Sequence, residues 1–343
     1  MNETINANMI VLAREARSIS QHELAGRIRM SATNLSKIER GNIGISEEVV
    51  EAIAGITAYP KHFFWQQASV VPENLCYRKR QRVAQKLLTS INAKANVIRQ
   101  HAQFLSRGLQ LLPPALPTIE VTAHCPPARI ARRLRKVLEL PSGPLHNLAA
   151  VLESRGIAIV RFDFGTPRVD SKSLLTDDGY PVIFLNLGLL GDRQRFSLAY
   201  ELGQLVMHTR FPVALDRDIA HEANAFAAEL LMPEKDMKQD FRNGLNLSLL
   251  GELKKKWKVS MISLLYRADD LGFITPNQKR YLLQQFNELR IRRREPVELD
   301  VAPEEPKLLR TWIRQYRSRY KLGVQEMAAL LCLHGDEFLE LYA

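Results

Sequence analysis

Residues 20–41 read S-Q-H-E-L-A-G-R-I-R-M-S-A-T-N-L-S-K-I-E-R-G. The segment divides into two short helices around a turn. Ser20 can cap the first, and Glu23 three positions later completes an S-x-x-E capping box. That helix runs from Gln21 to Ile28, with Leu24, Ala25 and Ile28 facing inward. Arg29 and Met30 form the turn, and Ser31 caps a second helix that ends at Gly41, with Leu35 and Ile38 inward. Working outward, Ile5 to Arg17 carries apolar residues at the 3–4 spacing of an amphipathic helix. Ser46 to Gly55 adds a further helix through Val49, Val50, Ile53 and Ala54.

Two short helices around a tight turn, the second with a small polar outer face, follow the helix-turn-helix plan. Base edges in the major groove are told apart by hydrogen bonds and methyl contacts, which such a face supplies. The string closely resembles the XRE family of phage-repressor-like regulators. That resemblance implies an all-α, lambda-repressor-like domain over residues 1–66. It sets Ala32, Thr33 and Lys37 toward bases and Gln21, Asn34 and Arg40 toward phosphates, with the capping Ser31 among the DNA-facing residues. Thr33 offers a hydroxyl and a methyl, and Lys37 can donate to guanine. The implied partner is a double-stranded operator, read as two half-sites by a homodimer.

The formal charge of +11 also points to a polyanionic partner. Residues 1–67 hold seven cations and seven acids, whereas residues 68–140 hold thirteen cations against three acids. The excess therefore sits beside the first domain, in a basic linker that includes Arg78, Lys79, Arg80 and Arg82, expected to grip DNA phosphates. A second cluster, Lys279 and Arg280 followed by Arg290 and Arg292 to Arg294, lies late in the chain. From Ala84 a seam of Leu88, Ile91, Ala95, Ile98, Ala102, Leu105, Leu109 and Leu112 alternates steps of four and three until Pro113 and Pro114. It suits a dimerising helix or, in the preferred reading, a long helix lying on the next domain. No apolar run approaches the roughly 20 residues of a membrane helix. The three cysteines, Cys76, Cys125 and Cys332, lack metal or disulfide spacing. A cytoplasmic protein with no membrane attachment is expected.

Beyond residue 141 the pattern changes. Strands are expected at 157–162, 171–176 and 181–186, then a helix from Asp192 to Met207 and another over 221–233. The strings L-N-L-G-L-L-G-D-R-Q-R-F-S-L-A-Y-E-L-G-Q and E-A-N-A-F-A-A-E-L-L-M-P resemble the ImmA/IrrE family of zinc metallopeptidases. The resemblance implies a zincin-like α+β domain with a small sheet over residues 141–245. In the family's HExxH motif, two histidines one helical turn apart bind zinc and the glutamate acts as general base. Tyr200 and Gln204 hold the histidine positions here, Glu201 the base position and Glu222 the third-ligand position. A phenol and a carboxamide are poor zinc ligands, so the resemblance implies a pseudo-metallopeptidase with no metal and no cofactor. The four residues would line a polar pocket, filled by its own Tyr–Glu or Gln–Glu bond or open to a small-molecule effector. His208 and His221 are expected to be surface or capping histidines.

Residues 246–295 echo a helix-turn-helix but suit helical packing units better, and 296–343 form a last helical segment behind an acidic, proline-containing linker. The fold class expected is α+β, mainly α. The function expected is a transcriptional regulator, a repressor or antitoxin-like, with a toxin or other protein as a further partner. The competing reading is a zinc-dependent peptidase with a non-standard site acting on a regulatory protein.

Overall fold

Residues 181–186, P-V-I-F-L-N, are apolar on both faces of a strand, as a strand covered from both sides must be. The structure, a computed structural model, describes residues 5–72, 78–79, 82–209, 211, 214, 216–242 and 244–342. Chain order begins with α1 (Ala7–Ala16), α2 (Gln21–Arg27), α3 (Ala32–Glu39) and α4 (Glu47–Thr57). A 3-10 turn at Lys61–Trp65 leads to β1 (Arg78–Lys79) and the long α5 (Gln85–Gly108). Next come α6 (Pro127–Val137), α7 (Leu148–Ser154), β2 (Ala158–Phe162), β3 (Val169–Leu175) and β4 (Pro181–Asn186). Then follow α8 (Gly191–Met207), α9 (Ile219–Leu231), α10 (Glu234–Phe241), α11 (Leu247–Trp257), α12 (Met261–Asp270) and α13 (Pro276–Glu288). The chain closes with α14 (Leu308–Tyr320), α15 (Val324–Leu330) and α16 (Gly335–Tyr342). This is the mainly helical α+β class expected.

The sheet runs β1-β3-β4-β2, with β2 parallel to β4 and the other pairs antiparallel. Because side chains alternate along a strand, it separates two cores. Val182 and Phe184 of β4, with Ala158, Val160 and Phe162 of β2, join a core built from α5, α1–α4 and α14–α16. Ile183 and Leu185, with Ile159, join the other, built from α6–α13. Residues 246–286 share this second core with the expected peptidase-like region; Trp257, Leu264 and Leu265 are fully buried in it. Gly203 lets α8 and α9 approach closely, since a Cβ there would lie 2.8 Å from the Phe226 ring.

The expected seam faces inward only as far as α5 runs: the helix ends at Gly108, and Leu112 beyond it is exposed. Ile91, Ala95, Ile98, Ala102 and Leu105 are buried against α1, α14, β3 and β4. The long helix thus lies on the following domain, and it carries the first domain on its other side. Ser18 donates to Ser90 at 2.9 Å, while Arg17 forms a bidentate pair with Glu337 of α16 and donates to the Thr57 carbonyl. No helix among the described residues is long and apolar enough to cross a membrane.

Candidate functional site

Side-chain caps fix the reading helix. Ser20 accepts from the Glu23 amide and Ser31 from the Asn34 amide, each at 3.2 Å. The Glu23 carboxylate pairs with Arg27 at 2.6 Å instead of returning to the Ser20 amide. Arg29, in the left-handed region, closes the turn between α2 and α3. Leu35 and Ile38 are buried, and Thr33, Asn34, Lys37 and Arg40 are exposed. Ala32 is half-buried, and Ser31 spends its hydroxyl on the cap. Gln21, expected at a phosphate, donates to Glu39 at 2.7 Å. The same carboxylate receives Arg14 at 2.8 and 3.1 Å, and Arg14 also donates to the Ile19 carbonyl. Glu39 therefore ties α1 and the start of α2 to the end of α3. This clamp was not read from the sequence.

The linker cations separate in space. Arg82 is exposed, Lys79 contributes backbone pairing in β1, and Arg80 lies outside the described residues. Arg78, grouped on sequence with the phosphate-gripping cations, turns inward. It donates to Ser197 Oγ at 2.7 Å and stacks on Phe196 and Tyr200, with its carbon centre 4.6 and 5.5 Å from the ring centroids. Burial lowers its pKa to about 10. Arg78 itself is half-buried, whereas Arg99 is fully buried, donating to the Leu175 and Ser69 carbonyls and to Asp177, and Arg135 is buried on main-chain carbonyls. The linker's charge thus goes partly to structural hydrogen bonds, which composition cannot distinguish from a DNA-facing patch.

The second polar region lies on α8. Tyr200 and Gln204, one turn apart, share a face, and the Gln204 amide donates to the Tyr200 hydroxyl at 3.2 Å. His208, the next turn on, extends the series: its Nδ1 lies 2.7 Å from Gln204 Oε1 and its Nε2 lies 2.7 Å from Glu222 Oε2. Arg217 completes it with two donors to Glu222, at 3.0 and 2.5 Å. The expected direct Tyr–Glu or Gln–Glu bond is replaced by this histidine bridge. His208 is accordingly not a surface residue, its side chain being 5% exposed. Burial holds its pKa below the usual histidine range against the opposing pull of Glu222. Hydrogen bonds from Arg217 and His208 outweigh burial at Glu222 and keep its carboxyl below the usual range. His221 is exposed at the start of α9.

Glu201 leaves this group, because consecutive helical side chains diverge by about 100°. It is fully buried and accepts from Ser171 and Ser173 of β3, each at 2.7 Å. Burial raises its pKa to about 7 against these bonds and the charges of Arg78 and Lys172. Zinc takes imidazole, thiolate and carboxylate ligands. The only imidazole in the series bridges Gln204 and Glu222, and the Glu222 carboxylate is already bound by Arg217. Among the described residues no group of three or more His, Cys, Asp or Glu side chains is placed to hold a metal ion. This donor set does not fit zinc.

Residues 12–59 match the family model of a helix-turn-helix domain, and residues 152–269 match that of the IrrE N-terminal-like domain. The chain thus joins a region that matches a helix-turn-helix domain to one that matches an IrrE N-terminal-like domain. The first match covers α2 and α3 with their exposed polar face, and makes the N-terminal unit a DNA-binding module. The second runs from α7 through the sheet to α12, and so includes Tyr200, Glu201, Gln204, His208 and Glu222. No curated protein matches the chain.

Proposed function

We propose that this helix-turn-helix–IrrE-like protein is a sequence-specific transcriptional repressor whose IrrE-like domain performs no peptide hydrolysis. The observation that carries the reading is the closed series Arg217–Glu222–His208–Gln204–Tyr200. A hydrolytic zinc site needs three protein ligands and an open position for water. Here the polar groups of the corresponding pocket are partnered by one another, and a guanidinium holds the carboxylate that would face the metal. Thr33 and Lys37 read bases from the exposed side of α3, and Asn34 and Arg40 hold the backbone. A dimer would place two such helices in half-sites one helical turn apart, roughly 34–36 Å. The IrrE-like domain then serves as the sensing part, for an effector or a protein such as a toxin.

Two measurements test this together. Selection of bound duplexes from a random pool, with the oligomeric state taken by sedimentation, should return a two-fold symmetric motif and a dimer. Metal analysis of the purified chain should give well below one zinc per chain. Stoichiometric zinc that is lost in Glu222→Ala, accompanied by peptidase activity, would overturn the non-catalytic assignment. Recovery of no motif would overturn sequence-specific reading.

A further inference from the structure

The late basic cluster of the sequence, Arg292 to Arg294, has no part in α3 or in the Tyr200 series. It lines a cavity of about 450 Å³ beside the start of α8 and α12. Six cations border this cavity, Arg78, Arg193, Lys254, Arg292, Arg293 and Arg294, against two acids, Asp192 and Glu295. Three of the cations are paired. Lys254 binds Asp192 and Glu295, Arg193 binds Asp170, and Arg294 binds Asp300.

The other three guanidinium groups have no carboxylate partner among the described residues. Arg78 touches Ser197 Oγ and two aromatic rings. Arg292 reaches Asn287 Oδ1 at 3.4 Å. Arg293 is exposed at the rim. Arg78 matters most, because the cost of its burial and repulsion from the neighbouring Arg193 are only partly offset by the more distant carboxylates of Asp170 and Glu201. An anion entering the cavity would relieve both effects. Phe196, Leu190 and Ile262 supply apolar wall beside the cations, enough for a small molecule with a non-polar body.

We propose that this cavity binds the phosphate group of a small phosphorylated molecule, held between Arg78 on the inner wall and Arg292 and Arg293 at the rim. Three guanidinium groups around one space suit an anion with several acceptor oxygens and more than one charge, whereas one fork satisfies a carboxylate. The backbone phosphates of duplex DNA are a different ligand. A partly buried arginine in a cavity wall suits them poorly, since they approach broad exposed surfaces. The cavity adjoins the Tyr200 series only through Arg78, which stacks on the Tyr200 ring, and its occupancy does not depend on DNA reading.

Titration calorimetry of the full chain with inorganic pyrophosphate tests the proposal, with acetate and a random-sequence duplex as comparison ligands at matched ionic strength. Saturable one-to-one binding of pyrophosphate is expected, weaker by about tenfold or more in Arg293→Ala and in Arg78→Gln, as loss of a charge-assisted hydrogen bond gives. Lys37→Ala should leave it unchanged. Arg293 is exposed, so its variant keeps the test valid even if Arg78→Gln fails to fold. Absence of saturable binding, or equal affinity in Arg293→Ala, would overturn the site. Acetate binding as tight as pyrophosphate would overturn the phosphate assignment. A duplex that displaces pyrophosphate with loss of that competition in Arg293→Ala would reassign the cluster to DNA.

Discussion

Replacing Glu39 by alanine removes both acceptors of the Arg14 fork and the acceptor of Gln21 in one step. The Arg14 and Glu39 side chains are 11% and 6% exposed, so water cannot readily replace the lost carboxylate. Breaking one partner of a buried pair costs about 3–5 kcal/mol, because the other charge is left uncompensated. Against a typical total of roughly 5–15 kcal/mol, that is enough to open the α2–α3 unit locally. The assay is native-state hydrogen exchange, which resolves local from global opening. Amides of α2 and α3 should exchange about two to three and a half orders of magnitude faster, at 1.4 kcal/mol per order of magnitude. Those of β4 should barely change. Glu39→Gln, which keeps one carbonyl acceptor, should fall between. Arg14→Met with Glu39→Leu should recover much of the loss, since an apolar replacement of both partners removes the stranded charge. Exchange in Glu39→Ala within a few-fold of wild type would refute the clamp.

Other outcomes follow from the same geometry. Lys37→Ala and Thr33→Ala should each lose about 1–3 kcal/mol of discrimination between operator and random duplex, read by competitive binding. Equal loss on both duplexes would mean that neither reads bases. Arg82→Ala should reduce the salt slope of DNA binding by about one, while Arg78→Ala should leave that slope unchanged, because Arg78 is committed to Ser197, Phe196 and Tyr200. For Glu201 the folded pKa of about 7 lies above the ordinary glutamate value, so the folded state holds the proton longer than the unfolded one. Its contribution is present at low pH and is lost as pH rises from the ordinary carboxyl range through about 7. Glu201→Gln should flatten the pH dependence of the melting temperature across that window, and an unchanged profile would show that Glu201 titrates normally. Gly203→Ala should cost about 1–3 kcal/mol through the clash with Phe226; a wild-type melting temperature would mean that α8 and α9 part without strain.

Local patterns made most of the elements legible. Leu24, Ala25, Leu35 and Ile38 announced the inner faces of α2 and α3, and Ser20 and Ser31 announced their caps. The apolar run 181–186 announced a strand covered on both faces. What stayed hidden was long-range partnership. Nothing near Arg78 in the chain signals that it inserts beside Tyr200 across 122 residues, and composition gives Arg99 the same weight as the exposed Arg82. His208 looked peripheral because its partners combine a helical neighbour, Gln204, with Glu222 on a different helix. The resemblance sets Glu201 in the pocket as the base of the motif, and helical geometry turns it to the sheet instead.

The union of α1 with α5 has a consequence for how such a protein can be divided or recombined. Met9, Ile10 and Ala13 are buried in a core that includes α5 residues, and Arg17 is anchored to α16 more than 300 residues away. The N-terminal unit is therefore not an interchangeable cassette. Severing the chain near residue 66 would bare an apolar flank where the native molecule has a joint, and a transplanted reading head would need a matching seat on its new host.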